Sequence, residues 1–146
     1  MRVLFVLSHT DRDDRGLYML DLHDGLSRLG VEVRTVALGP GRTGGLDAVV
    51  PTLAPATGSL AAVTQLRREQ RWADTVVCAD ERAAAVQRRT LGRGLVVLRV
   101  TGGAKAADPV AGDEALVDRS GHKVADNALT MAPDAWERVL RDHPGN

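Results

Sequence analysis

The chain is poor in the groups that staple, stack or span. It holds one cysteine, Cys78, so no internal disulfide can form. That residue sits in the apolar run Val76-Val77-Cys78, where a thiol reads as buried and inert. Aromatic residues are 3% of the 146 positions, which leaves Val, Leu and Ala to build the core, as suits a parallel sheet under alanine-containing helices. Lysine occurs only at Lys105 and Lys123, so arginine carries nearly all the positive charge. Neither sign dominates: 19 Lys and Arg offset 19 Asp and Glu, and neutrality gives no support for a nucleic acid or an acidic membrane as partner. No apolar run approaches the roughly 20 residues of a transmembrane helix. No charged n-region, apolar h-region and cleavage site precede Met1-Arg2-Val3, which already belongs to a strand, so a cytoplasmic location is the default expectation. The length suits one good core, hence a single domain over residues 1–146.

What is present begins at once. Val3 to Leu7 is apolar without alternation, the pattern of a strand covered on both faces. From Gly16 to Gly30 the period changes, with Met19, Leu22, Leu26 and Leu29 on one side of a helix that Gly30 is placed to stop. A second strand, Val31 to Leu38, follows directly, making a βαβ unit that should nucleate a parallel sheet. After a glycine-rich loop, Leu46 to Val50 reads as a short third strand at a sheet edge before Pro51. Ser59 reads as the N-cap of a helix running to Trp72-Ala73, with Leu60, Val63 and Leu66 as its apolar stripe. The run Arg67-Arg68-Glu69-Gln70-Arg71 reads as its solvated final turn, with a surface for an anion or a partner as the alternative.

Thr75 to Ala79 is a fourth strand, and Asp80 can cap a helix that uses Ala83, Ala84 and Val86 and ends near Leu91-Gly92. Leu95 to Val100 is a fifth strand, opening into Thr101-Gly102-Gly103. Ala104 to Gly112 reads as a loop, Asp113 to Val124 as a helix weakened by Gly121, and Asn127 to Thr130 as a short sixth strand. Pro133 starts a last helix that buries Ala135, Trp136, Val139 and Leu140 and stops at Pro144-Gly145. Strands alternating with helices predict a Rossmann-like, three-layer α/β domain with a mostly parallel sheet, whose ligands sit beyond the carboxyl ends of the strands.

Those ends collect the candidate ligand-contacting residues: His9, Asp11, Arg15 and Gly16 after the first strand, Asp80 after the fourth, and Thr101, Gly102 and Gly103 after the fifth. His9 could act as a base for a hydroxyl or accept a hydrogen bond, and the consecutive amides at Thr101-Gly102-Gly103 could meet a sugar hydroxyl or a phosphate. The aspartates near His9 match no strong metal spacing, so no metal is expected. Gly16 stands alone where a dinucleotide fold needs G-x-G-x-x-G, and no P-loop or nucleophile-elbow sequence occurs, so no cofactor is expected. His23 and His122 read as surface positions on helices.

The order Arg2-Val3-Leu4-Phe5-Val6, Gly16, Leu20-Asp21-Leu22 through Leu29-Gly30, Val31-Glu32-Val33, Ala73-Asp74-Thr75-Val76-Val77, Val97-Leu98-Arg99-Val100-Thr101-Gly102 and Ala125-Asp126-Asn127-Ala128-Leu129-Thr130-Met131-Ala132-Pro133 resembles the N-terminal half of a GT-B retaining glycosyltransferase of glycosyltransferase family 4. The resemblance implies an acceptor-side domain that meets a second, nucleotide-sugar-binding domain across a cleft; the donor-binding region has no counterpart in these residues. The polar fittings also differ: Arg15-Gly16 stands for the family's frequent glycine pair, Cys78-Ala79-Asp80 for a common His, and Thr101-Gly102 for His-Gly. The leading expectation is therefore a stand-alone glycosyltransferase N-terminal-like domain acting as a binding or auxiliary subunit, inactive by itself. One alternative is the acceptor-binding half of an active split transferase whose partner holds the donor; another is a truncated domain without independent function. The partners implied are a donor-domain protein or glycosyltransferase, a second copy of the chain, and a sugar or other small molecule.

Overall fold

Strand β1, Arg2–Leu7, is buried along all but its first residue, as its unbroken apolar run predicts. The computed structural model describes residues 1–39, 41–42, 45–53, 58–90, 96–101 and 114–143. After β1 come helix α1 (Asp14–Arg28), β2 (Glu32–Ala37), α2 (Gly58–Trp72), β3 (Thr75–Cys78) and α3 (Glu81–Gln87). A 3₁₀ turn (Arg88–Thr90), β4 (Val96–Thr101), β5 (Ala115–Val117), β6 (Lys123–Ala125), a second 3₁₀ turn (Ala128–Thr130) and α4 (Pro133–Asp142) complete the order. The six strands form one sheet in the order β2-β1-β3-β4-β5-β6. Neighbours from β2 to β4 run parallel, while β5 and β6 are antiparallel additions.

The layers follow from the topology. Crossovers of one hand put the connecting helix on opposite faces when the chain reverses its direction across the sheet. The chain moves from β1 to β2 on one side, then back past β1 to β3 and on to β4. Accordingly Val3, Phe5 and Leu7 pack with Met19, Leu22 and Leu26 of α1 and with Trp136 and Leu140 of α4. Leu4 and Val6, on the opposite face, pack with Leu66 of α2 and Ala83 and Ala84 of α3. The domain is thus a three-layer, Rossmann-like α/β fold with a mixed, mostly parallel sheet. Among the described residues no helix is long and apolar enough to cross a membrane.

Several expected elements take another form. Leu46 to Val50 is a turn, not a strand: Val50 N donates to Leu46 O at 3.0 Å, and the two buried apolar residues are four apart with Asp47, Ala48 and Val49 exposed between them. Among the described residues the sheet edge receives here a single parallel bridge, Ala37 to Thr52. The helix expected over Asp113–Val124 is a β-hairpin in its described part. Leu116 and Val117 are buried strand residues, Asp118 N donates to His122 O at 2.9 Å, and Gly121 holds φ +88, so the glycine that would weaken a helix instead closes the turn. His122 consequently lies in this turn and not on a helix, whereas His23 is on α1 and hydrogen-bonds Thr35 Oγ1 at 2.8 Å. Asn127 to Thr130 forms no strand; Asn127 takes a left-handed conformation and opens the second 3₁₀ turn.

Smaller differences occur at helix ends. Helix α2 opens at Gly58, so Ser59 lies within its first turn instead of capping it. Leu29 falls past the last turn of α1 and is 42% exposed, although Met19, Leu22 and Leu26 are buried as expected. In α4, Trp136 and Leu140 are buried and Ala135 and Val139 only half so. Trp136 Nε1 donates to Tyr18 Oη at 2.8 Å and to Ala128 O at 3.1 Å, fastening α4 and the 3₁₀ turn to α1. Burial holds the Tyr18 hydroxyl above its ordinary pKa, against the opposing influence of the Trp136 donor. The expected helix end at Leu91-Gly92, the loop Ala104–Gly112 and the stop at Pro144-Gly145 lie outside the described residues.

Two measurements probe this framework. A methyl group at Gly25 would come within 2.4 Å of Pro133 Cγ, where α1 and α4 touch. Gly25→Ala is expected to cost about 1–3 kcal/mol by overpacking, outweighing the roughly 1 kcal/mol gained in helix propensity; a lower denaturant midpoint with unchanged slope checks it. At the amino ends of β1 and β3, Arg2 donates its backbone N–H and its guanidinium to Asp74, and those bonds hold the Asp74 carboxyl below its ordinary pKa. Stabilisation from a depressed carboxyl is present above the unfolded pKa and lost as pH falls through the folded one. Asp74→Asn is therefore expected to lower stability at pH 7, with the deficit shrinking as pH falls below the ordinary carboxylate range, in unfolding curves taken from neutral to acid pH.

Candidate functional site

The chain leaves β1 toward one face of the sheet and leaves β3 toward the other, so the two strand ends diverge beyond their last paired residues. A cavity of about 230 Å³ opens there, lined by Leu7, Ser8, His9, Asp13, Arg15, Gly16, Ala79 and Asp80. Four of the candidate residues, His9, Arg15, Gly16 and Asp80, thus converge on one cavity from two loops that are 64 or more positions apart in the chain.

Each polar group has a mechanical reason for its place. Asp80 caps α3, its Oδ1 accepting from Ala83 N at 2.8 Å, and its Oδ2 accepts from Ser8 Oγ at 2.5 Å. One carboxylate therefore ties the end of β1 to the start of α3. Asp13 caps α1 in the same way, accepting from Gly16 N at 2.7 Å. Gly16 is packed closely as well: a methyl group there would sit 3.0 Å from Leu46 Cδ1 and 3.1 Å from Asp11 O. Arg15 reaches across the divergence and donates from Nη1 to Ala79 O at 2.7 Å, which fixes the guanidinium at the cavity wall.

His9 is oriented by its neighbours. Asp11 N donates to His9 Nδ1 at 3.2 Å, so the neutral ring carries its proton on Nε2, which lies 3.7 Å from Asp13 Oδ2. In that state the imidazole presents a donor on its Nε2 side. Abstracting a proton at Nε2 would require the other tautomer and forfeit the Asp11 bond.

The remaining candidates stand apart. Asp11 does not line the cavity; its carboxylate lies 3.7 Å from His9 Nδ1 and fills the space over Gly41. Thr101 is placed as the last residue of β4, opposite Ala115, and Gly102 and Gly103 lie outside the described residues. Cys78 precedes the cavity in β3 but is sealed from it, and burial pushes its thiol up to about 12, with the Asp80 charge adding to the effect. Sequence reasoning did not single out Ser8, Asp13 as a cavity wall, or the Ala79 carbonyl. Ser8 is the first polar residue after an apolar run and Asp13 stands three positions before Gly16, signals that mark a strand end and a cap but not a shared cavity. A backbone carbonyl carries no sequence signal at all.

The lining carries the carboxylates of Asp13 and Asp80 against the single guanidinium of Arg15, with the His9 imidazole beside them. In the first turn of α1 the amides of Gly16 and Leu17 already donate to Asp13, so they are not open to an anion. What remains is a small, mixed set of donors and acceptors without net positive charge.

Asp80→Ala is expected to lower stability by about 1–3 kcal/mol, since it removes a cap and leaves the buried Ser8 hydroxyl unpaired. Asp80→Asn, which retains a capping oxygen, is expected to recover most of that loss in thermal or denaturant unfolding.

Among known proteins, no family model matches this chain and no curated protein matches it.

Proposed function

We propose that the cavity between the ends of β1 and β3 binds a small, neutral, hydroxyl-rich ligand such as a saccharide unit. On this reading the chain is an acceptor-side domain of the glycosyltransferase type, and it serves as a binding or auxiliary subunit rather than as a transferase by itself. The observation that carries it is the convergence of Ser8, His9, Asp13, Arg15 and Asp80 on one cavity at the point where the strand order reverses. A sugar presents hydroxyls that donate and accept at once, and a wall that alternates carboxylates with N–H donors matches both roles. Two carboxylates against one guanidinium disfavour a phosphate. The volume of about 230 Å³ lies below the roughly 300–1,000 Å³ of drug-sized sites, which fits a single ring rather than a dinucleotide.

A binding role agrees with how these groups are occupied. Both Asp80 oxygens are engaged, the Ser8 proton is committed to Asp80, and Arg15 is held by a carbonyl, so the wall is built for positioning. A nucleotide-sugar donor would be held by a partner protein placed over the same strand ends.

Titration of the isotopically labelled chain with neutral mono- and disaccharides, followed by amide shifts, is the direct test. Saturable shifts centred on residues 8–16 and 79–81 are expected. His9→Ala and Arg15→Ala should each weaken binding about tenfold or more, the equivalent of one lost hydrogen bond to a charged or ring nitrogen. Absence of saccharide binding by the folded chain would overturn the ligand assignment. Sugar transfer by the chain alone would overturn the auxiliary role.

A further inference from the structure

A second polar niche lies between α3 and the β4–β5 part of the sheet, and its chemistry is the opposite of the first. It is lined by Ala84, Gln87, Arg88, Arg99 and Arg119, and it shares no residue with the cavity between β1 and β3. Three guanidiniums from three different elements meet here in a chain whose formal charge is zero. Arg88 comes from the 3₁₀ turn after α3, Arg99 from β4, and Arg119 from the turn of the β5–β6 hairpin.

Arg99 is the unusual member. Its strand neighbours Leu98 and Val100 are fully buried, and it stands in register with Cys78, so its side chain leaves the sheet on the face covered by α3. Only 24% of that side chain is exposed. Nη1 donates to Glu81 Oε2 at 3.2 Å, but Glu81 is itself 56% exposed, which leaves the pair strongly screened by water. Nε is buried and has no hydrogen-bond partner among the described residues. A buried guanidinium N–H without a partner is costly unless a ligand completes it. Because Nη1 is used by Glu81, the edge carrying Nε is the one that can meet an entering oxyanion oxygen. Nη2 lies beside Gly121, where an added methyl group would touch it at 3.8 Å, so it is the missing side chain of the hairpin turn that leaves room there.

We propose that Arg88, Arg99 and Arg119 form an oxyanion site for a phosphate group, carried either by free phosphate or by a phosphorylated small molecule. The niche volume of about 20 Å³ admits one water-sized atom, so one oxygen enters against the Arg99 edge while the rest of the anion stays at the mouth between exposed Arg88 and Arg119. A terminal phosphate satisfies that geometry, with its ester oxygen directed to solvent. Glu81 competes with the anion for the same guanidinium and sets the affinity.

Calorimetric titration at low ionic strength with inorganic phosphate, and separately with a hexose phosphate, tests the site. Saturable binding of either is expected, and tighter binding of the ester would identify a phosphorylated metabolite as the better-fitting source. Arg119→Ala, on an exposed turn, should weaken binding at least tenfold. Arg99→Lys, which keeps the charge but removes the fork, should weaken it by as much. Glu81→Gln should tighten it severalfold by releasing Nη1, a gain that damage to the fold would not produce. No saturable binding by the folded wild-type chain, or binding indifferent to all three substitutions, would overturn the assignment.

Discussion

Everything in this fold leans on a strand that has no solvent face. Val3, Leu4, Phe5 and Val6 are fully buried, alternate residues feeding the two cores on either side of the sheet. β1 also carries hydrogen-bonded neighbours on both edges, β2 and β3. Its burial is the joint demand of two helical layers and two flanking strands, and the dry surface they remove from water supplies the main stabilisation of such a domain. With few aromatic residues available, Trp136 and Phe5 are placed in the same core, while the buried residues on the α3 face are Leu, Val, Ala and Cys78.

The central position of β1 also makes the candidate site. A strand that sends its chain to one face, beside a strand that sends its chain to the other, must leave a gap between the two departing segments. Asp80 bridges that gap through Ser8, and Arg15 bridges it through the Ala79 carbonyl. The contacts that hold the two loops at a fixed separation are therefore the same groups that offer polar atoms to a ligand. A site of this kind is preorganised by the folding energy of the caps, not by dedicated supporting residues.

Charge is distributed with the same economy. The chain is neutral as a whole, yet carboxylates outnumber guanidiniums in the cavity at β1 and β3, and guanidiniums dominate the niche at α3. Asp80 and Glu81, consecutive at the start of α3, belong to these two environments respectively. A neutral hydroxylated moiety and an anionic group would thus be sorted to different places at the carboxyl end of the sheet. The arginine run on α2 takes no part: Arg67, Arg68 and Arg71 are exposed, and Glu69 is spent on Arg34, whose guanidinium also stacks 4.1 Å above Trp72.

The amino-acid sequence by itself determined the βαβ start, the parallel strands at Thr75 and Val96, the cap at Asp80 and the helix start at Pro133. These are readable because unbroken apolar runs, helical periodicity and capping side chains act over a few residues; of the eight candidate residues named at the strand ends, four line the cavity between β1 and β3. The hairpin of β5 and β6, the buried turn at Leu46 and Val50, and the 3₁₀ turn at Ala128 were decided only by the tertiary structure. Three-residue strands have too short a period to register, and Gly121 reads as a weak helix position until the strand pairing that needs its positive φ exists. The partners of Ser8 and Arg15, and the meeting of Arg88, Arg99 and Arg119, were decided there too, because contacts between segments separated by tens of residues depend on strand order and leave no local trace.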